Sequence, residues 1–69
     1  MNPITSHVGS KIKLHRKNNG LSISELASLI HKSKSTLSKY ENGLISIDIE
    51  TLYDISQVLH VNLSGLVDL

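Results

Sequence analysis

Between Gly20 and Gly43 the chain reads GLSISELASLIHKSKSTLSKYENG, and Lys34 to Lys39 gather amines and hydroxyls around a single apolar side chain, Leu37. Ammonium and hydroxyl groups at helical spacing make a hydrogen-bonding surface, because such a face offers little to a core. A lysine suits guanine O6 and N7, a Ser or Thr hydroxyl donates or accepts, and a Thr methyl can meet a thymine methyl. Lys34, Ser35, Thr36 and Lys39 are the residues expected to reach base edges, with Lys39 about one turn beyond the first three on the same face. The bland alternative is a solvated face that touches only phosphate.

Other chemistries find less support. Without Cys there is neither a disulfide framework nor a thiolate metal site. His7, His15, His31 and His60 have no carboxylate or second His at i, i+4 spacing, and zinc needs three or four converging ligands, so neither metal nor cofactor is expected. Ser, His and Asp all occur, but none on a strand-to-helix elbow or Gly-rich loop, and the chain is too small to enclose a substrate pocket. No enzyme is expected.

The elements that must hold Lys34 to Lys39 read as five helices and no strand. The first runs from about Thr5 to Asn18, with Val8 and Ile12 inward and His15 at the next inward position. Gly20 closes it in a left-handed cap. The second opens on Ser22 as N-cap with Glu25 three residues on, Leu21 and Leu26 forming a hydrophobic staple. It buries Leu26, Ala27 and Ile30, with Ala27 small where the second and third helices cross. Ser33 caps the third, which runs to about Glu41 with Leu37 and Tyr40 inward, and Asn42-Gly43 end it. Leu44 to Ile47 connect to a fourth helix capped by Asp48, whose expected buried stripe is Ile49, Leu52, Ile55, Ser56 and Leu59, with Ile47 and Leu52 as a staple. Asn62 caps a last short helix carrying Leu63, Leu66 and Val67. The whole, residues 1–69, is expected to be a single all-α domain, a compact five-helix bundle. Its core must come from Leu, Ile and Val, because there is no Phe or Trp and only Tyr40 and Tyr53 are aromatic.

Charge is segregated along the chain. All seven basic residues precede residue 40, where only Glu25 opposes them, for a net +6. From residue 41 onward stand five acids and no base, for a net −5. One basic face for a polyanion and one acidic face turned elsewhere follow from that asymmetry. The segment from Met1 to Ser10 lacks the apolar stretch of a signal peptide, and no apolar run approaches a membrane span, so a cytoplasmic protein without membrane contact is expected.

Helices two and three joined through Ile30-His31-Lys32-Ser33 make a helix-turn-helix arrangement. Here the chain closely resembles the phage repressor and Cro (Xre) family. The matching residues are Gly20-Leu21-Ser22, Glu25-Leu26-Ala27, Ser33, Ser35 to Lys39, Glu41-Asn42-Gly43, Glu50-Thr51-Leu52 and Val61 to Leu66, over about residues 8 to 67 without a gap. The resemblance implies a lambda-repressor-like bundle, the third helix as recognition helix, and an ion pair between Arg16 and Glu41. Arg16 lies on the helix expected to pack beside the third, which agrees with that pairing. Departures from the family pattern are Ile23 where Gln usually meets a phosphate, His31 where Gly takes a positive φ, Lys32 at a usually apolar position, and His15 at a usually Leu or aromatic one. That last departure leaves Leu14 to face out. Leu44, Ile45, Ser46 and Ile47 stand where basic residues and Pro are common.

Phosphate contacts are expected from Lys11, Lys17, Lys32, Asn42, Ser38 and, in place of the missing Gln, Ser22, Ser24 or backbone N–H groups at the start of the second helix, while Lys13 reads as plain surface. The expected partner is double-stranded DNA, and the expected role is a transcriptional regulator, a repressor, acting as a homodimer on a palindromic operator. Val58, Leu63, Val67 and Leu69 form the expected dimer surface. Two alternatives stay open. One is a protein-interaction module, such as an antitoxin or anti-repressor keeping the fold, favoured by Ile23, Leu44, Ile45 and Ile47. The other is the DNA-binding module of a longer regulator.

Overall fold

The computed structural model describes residues 3–68. Leu69, one of the expected dimer residues, lies outside them. Five helices follow one another: α1 (Pro3–Asn18), α2 (Ile23–Leu29), α3 (Lys34–Glu41), α4 (Ile49–Leu59) and α5 (Leu63–Val67), with no strand among the described residues. The first helix starts two residues before the expected Thr5, at Pro3. A proline fits there because its ring pre-sets a helical φ and its missing N–H would have had no partner.

Among the described residues, side-chain caps start three of the helices. Ser22 Oγ accepts from Glu25 N at 3.0 Å while Ser22 N donates to Glu25 Oε1 at 2.8 Å, a complete capping box. Hydrogen bonding from Ser22 to the carboxylate, from its backbone N–H first and its side chain second, holds the Glu25 carboxyl below its ordinary pKa. Ser33 Oγ accepts from Thr36 N at 3.0 Å. Asp48 takes both the Thr51 hydroxyl (2.7 Å) and the Thr51 N–H (3.1 Å). The hydroxyl first and the N–H second lower its pKa, and Lys32 adds a small electrostatic pull. Asn62 occupies the N-cap of α5 in extended conformation, but its side chain makes no cap hydrogen bond, unlike the expectation.

Four helices end in one way. Leu21, Lys32, Leu44 and Val61 each donate their N–H to the carbonyl five residues back, at 2.9–3.1 Å, and the residue before each adopts a positive φ. This is the Schellman arrangement, which favours Gly at the left-handed position. Gly20 and Gly43 supply it at α1 and α3, whereas His31 and His60, both at φ 58°, serve α2 and α4.

Ile12, Leu26, Leu37, Ile55, Leu59 and Leu66, drawn from all five helices, are fully buried at the centre. α1 packs on α3, α4 and α5, α2 on α3 and α4, and α4 on α5. Asn19 Nδ2 donates to Leu59 O at 3.1 Å, which ties the end of α1 to the end of α4. The ring of His7 hydrogen-bonds the Asp68 carbonyl and joins α1 to the chain after α5. One expected core residue is not inside: Ile49 is 65% exposed. It sits in the first turn, about 80° from the centre of the buried stripe by helical geometry. Thr51 is buried in that turn beside Leu52, and its hydroxyl and N–H are both held by Asp48.

Candidate nucleic-acid interface

The turn between α2 and α3 is held at both ends. Ile30 is buried, and Lys32 N–H bonds to Ala27 O at 2.9 Å, so the chain reverses around His31 and re-enters a helix at Ser33. Ala27 is buried on α2, which packs on α3. Leu37 and Tyr40 plug α3 into the core, and their burial leaves the opposite side of the helix outward. On that side Lys34, Ser35, Lys39 and Asn42 are exposed, and Ser38 is half-buried. Ser35, Ser38 and Asn42 stand at i, i+3 and i+7 and form one stripe. Asn42 Nδ2 leans toward Ser38 Oγ at 3.4 Å, a long contact that spends at most one of its two N–H groups. Thr36 is half-buried, and its hydroxyl accepts from Ser33 Oγ at 2.9 Å, so its polar end faces the cap and is less available than those of its neighbours.

The orientation of α3 is fixed by a buried ion pair. Arg16 Nε donates to Glu41 Oε2 at 2.6 Å and Nη2 to Oε1 at 3.0 Å, with side chains 7% and 3% exposed. The third guanidinium nitrogen, Nη1, donates to Leu21 O at 2.7 Å. The bidentate geometry is the strong form of an Arg–carboxylate contact. Gly9 completes the junction. A Cβ there would lie 2.3 Å from Tyr40 O and 2.8 Å from Glu41 O, so the backbone of α1 touches the end of α3 at a distance only Gly permits. Sequence reasoning missed Gly9, because nothing in the spacing marks it apart from other glycines.

The remaining expected contacts divide. Ser22, Ser24, Lys17 and Lys32 are exposed, and Lys11 is half-buried. The oxygen of Ser22 is committed to its cap. Lys13 does not stand alone on the surface: with Lys17 and Asn42 it lines a groove of about 470 Å³ between α1 and the end of α3. Of the expected dimer patch, Leu63 and Val67 line different grooves. Val58 is half-buried against the core, Leu63 faces a groove with Ile49 and Tyr53, and Val67 faces another with Ile4, Val8, Ile47 and Leu52.

A five-helix bundle that presents its third helix across a tight turn is a helix-turn-helix domain. Comparison with known proteins agrees: the family model described as helix-turn-helix matches residues 12–66. The chain belongs to this family, in its Xre, lambda-repressor-like branch. It is 38% identical over 63 residues to an uncharacterized HTH-type transcriptional regulator of Sinorhizobium medicae, covering 91% of this chain and 45% of that protein. It is 34% identical over 61 residues to a protein of Methanobrevibacter smithii assigned to the HTH-type transcriptional regulators, covering 88% of this chain and 20% of that one. The chain therefore spans less than half the length of these relatives. Among solved structures, SinR, a master regulator for biofilm formation captured in complex with DNA, superposes with a TM-score of 0.83 at 40% identity, covering 88% of this chain and 98% of that one.

Proposed function

We propose that this domain binds double-stranded DNA sequence-specifically and serves a transcriptional regulator, a repressor, that acts as a homodimer on a palindromic operator. The observation that carries the reading is the outward face of α3: Lys34, Ser35 and Lys39 are exposed on a helix anchored from behind by Leu37, Tyr40 and the Arg16–Glu41 pair. Relatives named as transcriptional regulators and the SinR–DNA complex support it. In this reading Lys34, Ser35 and Lys39 read bases, with the Thr36 methyl beside them. Lys11, Lys17, Lys32, Ser22, Ser24, Ser38 and Asn42 hold phosphates. One domain reads few base pairs, and phosphate contacts alone give about 10⁻⁴–10⁻⁶ M at physiological salt. Two copies with recognition helices about 34 Å apart remedy this. The acidic second half would then lie away from DNA, and Val67 with its apolar groove is the dimer contact we favour. Sedimentation at micromolar concentration tests the dimer, with Val67→Asp as control; a monomer that binds a palindrome without cooperativity contradicts it.

A protein-interaction role is the second reading, and it has a specific observation. Leu44 is 59% exposed and Ile45 39% exposed, directly after α3. An electrophoretic shift on the DNA upstream of the protein's own gene separates the two readings. A shift supports DNA binding, and no shift at low salt favours a protein partner.

A further inference from the structure

We propose that α1 carries a phosphodiester-binding clamp made by Lys13 and Lys17 with Asn42, which grips the DNA backbone alongside the recognition helix. The proposal rests on the DNA-binding reading above and adds Lys13 to it, joining this lysine with Lys17 and Asn42 in one groove. Three observations place it. First, Lys13 and Lys17, one helical turn apart and both exposed, line the groove whose other wall is the end of α3 at Glu41 and Asn42. Asn42 also ends the Ser35–Ser38–Asn42 stripe, so the groove continues the outward face of α3.

Second, the charge in this groove is positive. The one carboxylate lining it, Glu41, is 3% exposed in its side chain and satisfied by Arg16. No Asp or Glu occurs before Glu25, so α1 carries Lys11, Lys13, Arg16 and Lys17 with no acid among them. The carbonyls at the end of α3 would repel an anion, but those of Ser38, Lys39 and Tyr40 accept from Asn42, Leu44 and Gly43 at 2.9–3.1 Å. Two ammonium groups and the second N–H of the Asn42 amide remain as donors, and a phosphate oxygen is an acceptor for all three.

Third, the groove is built to a fixed width. α1 meets the end of α3 at Gly9, where a Cβ would lie 2.3 Å from Tyr40 O. The two elements meet again at Ser6, whose Cα a Cβ on Gly43 would approach to 2.8 Å. The Arg16–Glu41 pair fixes the far end at 2.6 Å. Lys13 and Lys17 therefore start from a backbone with a set position relative to α3, and only their side chains must order on binding.

The test measures the affinity of the wild-type domain and of the Lys13→Ala/Lys17→Ala variant for a random-sequence duplex across salt. Each lost phosphate contact should make the slope of log K against log[salt] shallower by about 0.9, or about 1.8 for the pair. Between about 50 and about 200 mM salt the wild type should then lose ~12-fold more affinity than the variant. A lysine-acetylation footprint read by mass spectrometry is the second arm, since loss of charge in general does not move it. The duplex should protect Lys13 and Lys17 in the wild type. An unchanged slope, or a Lys13 as reactive with duplex as without, overturns the clamp while leaving DNA binding by α3 intact. A wild-type domain that binds no duplex overturns both. Protection by inorganic phosphate but not by duplex would assign the groove to a free anion and overturn the DNA assignment.

Discussion

Replacing Arg16 by Met keeps much of the side-chain volume but strands a carboxylate that is 3% exposed. Three hydrogen bonds go with the guanidinium: two to Glu41 at 2.6 and 3.0 Å and one to Leu21 O at 2.7 Å. Breaking a buried pair from one side costs about 3–5 kcal/mol, because the remaining charge is left uncompensated. A chain of this length has a total stability of roughly 3–10 kcal/mol at the usual per-residue value. Arg16→Met alone should therefore lower the melting temperature by ~12 °C or more, since one kcal/mol is worth about 4–8 °C in a domain this small. The informative assay is a double-mutant cycle by urea denaturation with Arg16→Met, Glu41→Gln and both. Adding Glu41→Gln to Arg16→Met removes the stranded charge, so the double variant should be more stable than the sum of single losses by about 1–3 kcal/mol. Strictly additive losses would refute the reasoning and show that the two side chains are not energetically coupled.

Gly9→Ala should destabilise the fold by about 2–3 kcal/mol, measured by chemical denaturation, because its Cβ meets the backbone of Tyr40 and Glu41, which cannot rotate away. His31→Gly should stabilise by roughly 1 kcal/mol, read as a higher melting temperature, because it relieves a left-handed φ of 58°. Glu25 and Asp48 both have lowered pKa values in the fold, so their contribution to stability is complete above the unfolded carboxylate range and is lost as pH falls through the folded values. Melting temperature should thus be level above about pH 5 and decline below about pH 4, with a shallower decline in a Glu25→Gln/Asp48→Asn variant.

The helix starts and stops were readable because their chemistry is local. Ser22 with Glu25, Ser33, and Asp48 announce caps through a side chain and a backbone N–H three residues away, and the structure has those bonds. Gly20 was readable for the same reason, whereas the positive φ of His31 was legible only through the resemblance, which puts a Gly at that position. His60 takes the identical conformation after α4, yet a histidine there carries no signal that glycine would. What was not readable depends on which elements face each other. Gly9 is informative only once α1 is known to touch the Tyr40 and Glu41 carbonyls. Ile49 satisfies the helical period but lies at the edge of the stripe, where it is left exposed. Lys13 differs from other surface lysines only through the groove it shares with Lys17 and Asn42. Leu63 and Val67 are close in sequence, but they open on separate grooves.

The central claim is that the outward face of α3 reads DNA sequence, and selection of duplexes from a random pool by the wild-type domain tests it most directly. One enriched motif is expected. Lys34→Ala and Lys39→Ala should each weaken binding to it by about 1–3 kcal/mol and relax preference at a single base pair. A pool without any enriched motif would contradict the account, as would a motif whose preferences survive both substitutions unchanged.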